Sequence, residues 1–173
     1  MGPPGLAGAE HIGITVPDLE AATRFFIDVI GCKVVFEVGP FASTDDWMQQ
    51  HLGVDPRAKI NKLRMLKCAN GPSIELFEYE VDGQKKDVPQ NSDVGGHHVG
   101  FYVADLDAAV AHLRRNGIKV LGEPTSMSEG PSAGLRWAYF VAPWGMTMEL
   151  VSYPKGMAYE AGTKDILWRP ADT

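Results

Sequence analysis

The strongest constraint in this sequence is that one pattern occurs in it twice. Residues 11–22 read HIGITVPDLEAA and residues 98–109 read HVGFYVADLDAA, so seven of twelve positions are identical at a constant offset of 87. A second match follows in the same order, with IELFEY at 74–79 and MELVSY at 148–153. Repetition at a fixed spacing indicates two copies of one supersecondary unit. We therefore expect both copies to fold in the same way.

Each copy begins with the signals of a strand followed by a helix. Apolar residues alternate with other residues over 10–16, as in a strand with one buried face. Asp18 then precedes apolar residues at helical spacing, which is typical of an N-cap, and Gly31 is typical of a helix end. The second copy repeats these signals, with its cap at Asp105. Three further strands per copy are predicted near residues 33–38, 60–68 and 73–79, and near 119–122, 135–141 and 147–153.

The predicted fold class is α+β, built from two βαβββ modules. The first copy is longer than the second around residues 40–60, where a short helix through Trp47 is predicted. Glycine, proline and charged residues between the copies indicate an exposed linker. The predicted organisation is a disordered N-terminus (1–9), a first module (10–79), a linker (80–95), a second module (96–153) and a C-terminal tail (154–173).

One histidine and one glutamate per copy form a candidate metal-binding set. His11 and His98 open the first strands, while Glu75 and Glu149 lie in the last strands, and all four alternate with apolar neighbours. They therefore point away from the helix-packed faces, into the concavity that the sheet encloses. Charged carboxylates on such a sheltered face are costly unless a positive group lies near them. Two imidazoles and two carboxylates suit a divalent ion such as Zn, Ni, Co, Mn or Fe. His97 could replace its neighbour by spacing alone, but only His98 aligns with the histidine of the first copy.

Taken together, these motifs resemble the vicinal oxygen chelate superfamily, which includes glyoxalase I, methylmalonyl-CoA epimerase, extradiol dioxygenases and bleomycin-resistance proteins. The resemblance covers about residues 10–153 and rests on HIGITVPDLEAA, on IEL at 74–76, on GHHVGF at 96–101 and on RWAYFVAPWGMTMEL at 136–150. It implies βαβββ modules forming an open, cup-shaped sheet around one metal ion, with two coordination positions left for water or substrate oxygens. The ligands that it implies are His11, Glu75, His98 and Glu149.

The chemistry that follows from such a site is proton transfer beside a carbonyl group. A metal ion with two open positions can hold both oxygens of a small oxygenated metabolite and stabilise negative charge on them. A base within hydrogen-bond reach must then accept the proton, and we assign that role to Glu149 or Glu75. The expected activity is that of a glyoxalase-like or epimerase-like lyase or isomerase acting on a small-molecule substrate.

Six further residues are candidates for the substrate pocket. Strand phase places Thr15, Phe77 and Tyr102 on the metal-facing side, although packing in the core or at the rim explains them equally well. Two arginines could hold a substrate carboxylate, or could simply be solvated strand residues. Trp47 belongs to the 40–60 segment, which could close over the site or pack against another subunit. The arginines are Arg64 and Arg136.

Two other functional classes remain open at this point. An extradiol-type dioxygenase would use Fe(II), but it typically has one carboxylate beside two histidines, so the second glutamate counts against it. A metal-free binding protein of the bleomycin-resistance type normally lacks the four ligands. The resemblance also has gaps, because WGM at 144–146 replaces the Asp-Pro-x-Gly turn that is common in the family. No glutathione-binding or coenzyme A-binding set can be matched.

Charge and cysteine content narrow the partners and the location. The net charge of −6 and the pI near 5.3 argue against nucleic acid or an anionic membrane as a partner. Cys32 and Cys68 are far apart and outside any CxxC spacing, so we expect free thiols and a cytoplasmic location. Modules with exposed sheet edges commonly pair, which predicts a homodimer.

Overall fold

The computed structural model describes residues 2–170, so Met1 of the predicted disordered terminus and residues 171–173 of the predicted tail lie outside the described residues. Each copy of the repeat forms four strands and one long helix, and the first copy contains an additional short helix, which confirms the α+β class. A π-helical turn extends α1 through Phe26–Ile30. The elements are β1 (His11–Thr15), α1 (Leu19–Phe25), β2 (Lys33–Val38), α2 (Trp47–Leu52), β3 (Lys59–Lys67), β4 (Ser73–Glu80), β5 (Val99–Tyr102), α3 (Leu106–Arg115), β6 (Lys119–Ser126), β7 (Arg136–Val141) and β8 (Thr147–Ser152).

The eight strands form two sheets of identical topology. The first has the order β1-β4-β3-β2 and the second has the order β5-β8-β7-β6. In each sheet the two central strands are antiparallel, and the first strand of the copy runs parallel to the last. The chain divides into two compact units between Lys86 and Asp87, with one sheet in each. The repeat in the sequence is therefore a repeat of the fold.

Both long helices begin at the aspartates that the sequence predicts as N-caps. The side chain of Asp18 accepts a hydrogen bond from Ala21 N at 2.8 Å, and that of Asp105 accepts one from Ala108 N at 3.0 Å. Gly31 ends the first helix with a φ of 89°, a left-handed conformation that glycine adopts without steric cost. Within residues 2–170, no helix has the length and apolarity needed to cross a membrane.

Alternation along the central strands gives each sheet a helix-covered face and an opposite face. In β4, Ile74 and Leu76 are fully buried and α1 packs against this strand. In β8, Met148 and Leu150 are buried and α3 packs against that strand. Successive side chains point to opposite sides of a strand. Glu75, between Ile74 and Leu76, and Glu149, between Met148 and Leu150, therefore lie on the faces opposite the helices. This alternation positions the glutamates of the candidate site.

The longer first copy contains the predicted short helix, α2. Its Met48 is fully buried against Ala58 and Ile60, and Leu63 and Phe77 pack around this cluster. Because Phe77 lies two positions after the glutamate of β4, it shares that residue's face of the sheet. Helix α2 therefore covers part of the face that carries Glu75.

The prediction of two free thiols is wrong, because Cys32 and Cys68 form a disulfide. Their Cα atoms are 4.2 Å apart although the residues are 36 positions apart in sequence. The antiparallel pairing of β2 with β3 sets Lys33 opposite Lys67, so the residues just beyond this pair meet. The bond thus links the ends of two neighbouring strands within the first unit.

Candidate metal centre

Each unit brings one predicted histidine next to one predicted glutamate. In the first unit, Nε2 of His11 lies 3.2 Å from Oε2 of Glu75. In the second, Nε2 of His98 lies 3.3 Å from Oε2 of Glu149. The parallel pairing of the first and last strands of each copy creates both contacts, since neighbouring strands are only about 4.8 Å apart.

The two pairs belong to different compact units of the chain. Within residues 2–170, the structure shows no group of three or more histidine, cysteine, aspartate or glutamate side chains placed to hold one ion. Convergence of His11, Glu75, His98 and Glu149 on a shared ion therefore stays a prediction.

The geometry of each pair fits coordination by a divalent ion. Ligand atoms that each lie about 2.0–2.2 Å from an ion, at tetrahedral or octahedral angles, are about 2.8–3.6 Å from one another. The observed separations of 3.2 and 3.3 Å fall in this range. Both carboxylates are also well sheltered, with side-chain exposures of 17% for Glu75 and 16% for Glu149. A nitrogen and an oxygen donor in this setting suit the divalent transition metals.

A glycine beside each carboxylate was missed in the sequence. Gly13 pairs with Glu75 across the strands, and Gly100 pairs with Glu149. A Cβ at Gly100 would lie 3.5 Å from the carboxylate oxygen, and one at Gly13 would lie 3.9 Å from its counterpart. A side chain at either glycine would therefore contact the carboxylate, and the glycines leave this space free. The available signal was a glycine two positions after the histidine in both copies.

The surroundings of the two histidines differ. Nδ1 of His11 lies 2.5 Å from Oε2 of Glu10, and this contact raises the pKa of His11, with a further contribution from the charge of Glu75. The position equivalent to Glu10 in the second copy is His97, whose Nδ1 lies 3.1 Å from the carbonyl oxygen of Gly95. Glu10 directly precedes the first histidine, but no pattern in the sequence distinguishes it from a solvated surface residue.

An aromatic residue adjoins the second pair. Tyr139 lies opposite Glu149 across the strands and makes an edge contact with the ring of His98, with centroids 5.1 Å apart. Burial raises the pKa of Tyr139, and the charge of Glu149 raises it further. Burial also raises the pKa of Glu149 itself, an effect that His98 partly offsets. The residue that faces Glu75 in the first unit is Met65, so only the second pair has a neighbouring hydroxyl at this position.

The three strand residues predicted for the pocket lie on the expected faces of their own sheets. Thr15 is exposed at the end of β1, on the side of the strand that carries His11. Phe77 stacks on Tyr79 with centroids 5.5 Å apart. Tyr102 makes an edge contact with Tyr153 at 5.1 Å. Contact of these residues with a substrate stays a prediction.

The predicted role of Arg64 is not supported by its contacts. Its side chain is only 9% exposed and donates hydrogen bonds to Glu20 at 2.7 Å, to Glu37 at 2.9 Å and to Thr23 at 2.7 Å. Two of these partners belong to α1, so the guanidinium lies on the helix-covered face. With two carboxylates already bound to it, Arg64 stabilises the first unit and does not face the candidate metal ligands.

Arg136 requires the same correction. It donates hydrogen bonds to both carboxylate oxygens of Asp107, at 2.8 and 2.9 Å, and Asp107 lies in the first turn of α3. The side chain therefore lies on the helix-covered face of the second sheet. The equivalent position of the first sheet holds Lys62, which forms an ion pair with Glu20 at 3.5 Å.

Trp47 lies in an aromatic cluster on the 40–60 segment. Its ring stacks on His51 with centroids 4.7 Å apart and meets the edge of Phe41 at 5.2 Å. The structure therefore brings Trp47 together with its neighbours in this segment, and its contact with a substrate stays a prediction.

The sequence of this chain matches that of a known protein superfamily. The sequence profile of the glyoxalase/bleomycin resistance protein/dioxygenase superfamily matches residues 10–139. The chain belongs to this superfamily.

Two relatives and two solved structures illustrate the likeness. The chain is 42% identical over 170 residues to 2-epi-5-epi-valiolone epimerase from an Actinomyces species, a match that covers 98% of this chain and 92% of the relative. It is 28% identical to the uncharacterized protein YaeR of Escherichia coli, over 84% of this chain and 96% of the relative. A glyoxalase family protein from Bacillus cereus superposes with a TM-score of 0.67 at 22% identity, covering 88% of this chain and 97% of that one. The fosfomycin resistance protein FosX of Listeria monocytogenes gives 0.56 at 16% identity, covering 90% and 98%, and both superpositions bear on the fold alone.

Proposed function

We propose that this protein is a metal-dependent epimerase that moves a proton beside the carbonyl group of a small hydroxylated ketone. The observation that carries the proposal is the duplicated His–Glu pair, with donor atoms 3.2 and 3.3 Å apart. Further support comes from the relative named 2-epi-5-epi-valiolone epimerase, which is 42% identical along 98% of this chain. A shared ion between the two pairs is part of the proposal.

The substrate class follows from the chemistry of that name. The ending of valiolone denotes a ketone, and the prefixes denote inverted stereocentres at carbons 2 and 5. Inversion beside a ketone requires loss of the adjacent proton from one face and its return to the other. Charge then develops on the carbonyl oxygen, and an enzyme accelerates the reaction by stabilising that charge and by supplying a base.

The chain's own groups divide these tasks. His11, Glu75, His98 and Glu149 would hold the ion, which when bound supplies Lewis-acid stabilisation of negative oxygen. We assign removal of the proton to a carboxylate oxygen of Glu149 or Glu75, because a carboxylate within hydrogen-bond reach can accept it. A proton from solvent then returns to the opposite face of the same carbon. The hydroxyl of Tyr139, whose pKa is raised above its ordinary value of 10, is protonated at neutral pH and can donate a hydrogen bond to a substrate oxygen.

Solvent deuterium exchange tests the proposal. The metal content of the purified protein is determined first, and the metal-loaded protein is then incubated in D2O with 2-epi-5-epi-valiolone and followed by NMR. We expect deuterium to enter at the carbon next to the carbonyl, together with inversion there. Absence of both in metal-loaded protein would overturn the proposal. Oxygen consumption with catechols, the reaction of an extradiol dioxygenase, is expected to be absent.

The variant Glu149→Gln identifies the base in the same assay. A matched control is Glu123→Gln, since Glu123 is 79% exposed and pairs with Arg114 on the surface of the second unit. Undiminished exchange in the Glu149 variant would remove this residue from the mechanism.

The homodimer expected from the sequence stays a prediction. Edge strand β2 exposes apolar side chains, among them Val35 at 59% and Val38 at 52%, which a second copy could cover. Sedimentation equilibrium would measure the oligomeric state directly.

A further inference from the structure

A carboxylate outside the predicted ligand set contacts the first histidine. Oε2 of Glu10 lies 2.5 Å from Nδ1 of His11, while Nε2 on the other side of the ring faces Glu75 at 3.2 Å. The side chain of Glu10 is 76% exposed, but its backbone is anchored because its carbonyl oxygen accepts a hydrogen bond from Ser73 N at 2.9 Å. The carboxylate is thus presented to the ring from the start of β1.

The second copy lacks this arrangement. At the repeat offset, the residue equivalent to Glu10 is His97, and its Nδ1 lies 3.1 Å from the carbonyl oxygen of Gly95. The ring of His98 contacts Glu149 and the edge of Tyr139. Both copies therefore have the His–Glu pair, but they differ in the residue that precedes the histidine and in the contacts of the histidine ring.

The chemistry of a carboxylate determines what Glu10 does to the ring. An ionised carboxylate can only accept hydrogen bonds, so its partner Nδ1 must carry the proton. In a neutral imidazole the proton on one nitrogen leaves the lone pair on the other. Of the two carboxylates that face the ring, Glu10 is the nearer, at 2.5 Å against 3.2 Å for Glu75, so its contact places the proton on Nδ1 and leaves the lone pair of His11 on Nε2.

We propose that Glu10 is a positioning residue that holds His11 in the tautomer and ring orientation required to bind a metal ion through Nε2. The inference rests on the proposed metal-dependent function. Carboxylates that accept a hydrogen bond from a ligating histidine raise the basicity of the ring and fix its orientation. Their loss typically weakens metal binding. His11 would then contribute more to metal affinity than His98, whose ring contacts Glu149 and Tyr139.

The tautomer of His11 tests this role without any metal. Long-range 15N–1H NMR of the metal-free protein at alkaline pH reports which ring nitrogen carries the proton. We expect the proton on Nδ1 in the wild type and a shift toward Nε2 in Glu10→Ala, where Glu75 is the remaining acceptor. The matched control His97→Ala should leave the signals of His11 unchanged. A wild-type ring with its proton on Nε2 would overturn the inference.

Metal affinity supplies the second measurement. Titration of the metal-free protein with Co2+, followed by its visible absorption, should show binding about 10–100-fold weaker in Glu10→Ala. Glu10→Gln should fall in between because its amide oxygen still accepts a hydrogen bond, and His97→Ala should bind as the wild type does. The exposed position of Glu10 lets these variants fold, which circular dichroism verifies.

The variant His11→Ala separates the two ways in which the expectation can fail. Weak Co2+ binding in His11→Ala together with wild-type binding in Glu10→Ala would overturn the role of Glu10 and leave the proposed function intact. Equal Co2+ binding by the wild type and His11→Ala would overturn the proposed metal site, and this inference with it.

Discussion

The two sheets carry the same His–Glu pair in different surroundings. The donor atoms are 3.2 Å apart in the first and 3.3 Å apart in the second, and a glycine lies opposite the glutamate in both. Around the pair, Glu10 of the first copy is matched by His97 of the second, and Met65 is matched by Tyr139. Strand register reproduces the distance between ligands in each copy, whereas the neighbours that tune each ligand have diverged. Duplication thus supplies two equal geometries with unequal chemistry.

The stability of the two units also rests on different contacts. The first contains the disulfide and the nearly buried Arg64, which binds carboxylates from α1 and β2. In the second, Arg136 and Asp107 form an ion pair whose side chains are 39% and 67% exposed. Exposed ion pairs contribute little because water and salt screen them. The first unit is therefore expected to respond more strongly to substitution of its charged and covalent links.

The largest expected difference in activity lies between variants of the two glutamates, Glu75 and Glu149. Glu75 faces a histidine whose ring is oriented by Glu10. Because this orientation favours metal binding in the first unit, we expect Glu75 to serve mainly as a fixed ligand and Glu149 to serve as the base. Glu149→Gln should slow solvent exchange into substrate by about 10²–10⁴-fold even at a metal concentration that saturates the site. Glu75→Gln should chiefly weaken metal binding, and saturating metal should restore part of its exchange rate. Exchange and metal content measured on both variants would contradict this division if their roles were reversed.

Removal of the disulfide tests the covalent link of the first unit. The bond closes a loop of 36 residues, and the chain-entropy relation gives about 3–4 kcal/mol for such a loop. Replacing Cys32 and Cys68 by serine should lower the free energy of unfolding in urea by about this amount. Reductant should destabilise the wild type and leave the double variant unaffected, because the chain has no other cysteine. Equal stability of the two proteins under oxidising conditions would contradict the expectation.

Substitution of the two arginines compares the ion pairs directly. Arg64→Met should lower the free energy of unfolding by about 2 kcal/mol, the scale of hydrogen bonds to charged groups, since its side chain is only 9% exposed. Arg136→Met should change it much less because that pair is solvated. Urea denaturation of both variants measures the difference, and a larger loss in the Arg136 variant would refute the ranking.

The smallest expected effect is a pH dependence of the unfolding free energy, which arises from the carboxylate partners of Arg64. Its hydrogen bonds hold the pKa values of Glu20 and Glu37 below their ordinary value of 4.5. Stability from these carboxylates is complete above that value and is lost as the pH falls through the lower pKa values of the folded protein. The stability gap between wild type and Arg64→Met should therefore narrow on acidification. Unfolding curves over a pH series would show a constant gap if the pairs contributed nothing.

Local patterns in the sequence predicted most of the fold and the pairs of candidate ligands. Alternation around Glu75 and Glu149 correctly placed both side chains opposite the helices, because Ile74, Leu76, Met148 and Leu150 are the buried residues. The same rule was available for Arg64, which lies two positions before the fully buried Leu66 and so shares its face. A bulge between Ile60 and Lys62 reverses the alternation earlier in that strand, which hides this phase in the sequence.

By itself, the sequence determined the twofold repeat, the order of strands and helices, and the placement of one histidine and one glutamate on a common face of each copy. These features depend on alternation, capping and spacing over a few residues, where steric and hydrogen-bonding rules act locally. Only the tertiary structure decided that Cys32 bonds to Cys68, that Arg64 binds Glu37, and that Glu10 turns toward the ring of His11. The first two contacts depend on which strands pair and in which register. The third depends on the side-chain conformation of a residue at the start of a strand. Local sequence patterns determine neither the strand pairing nor this conformation.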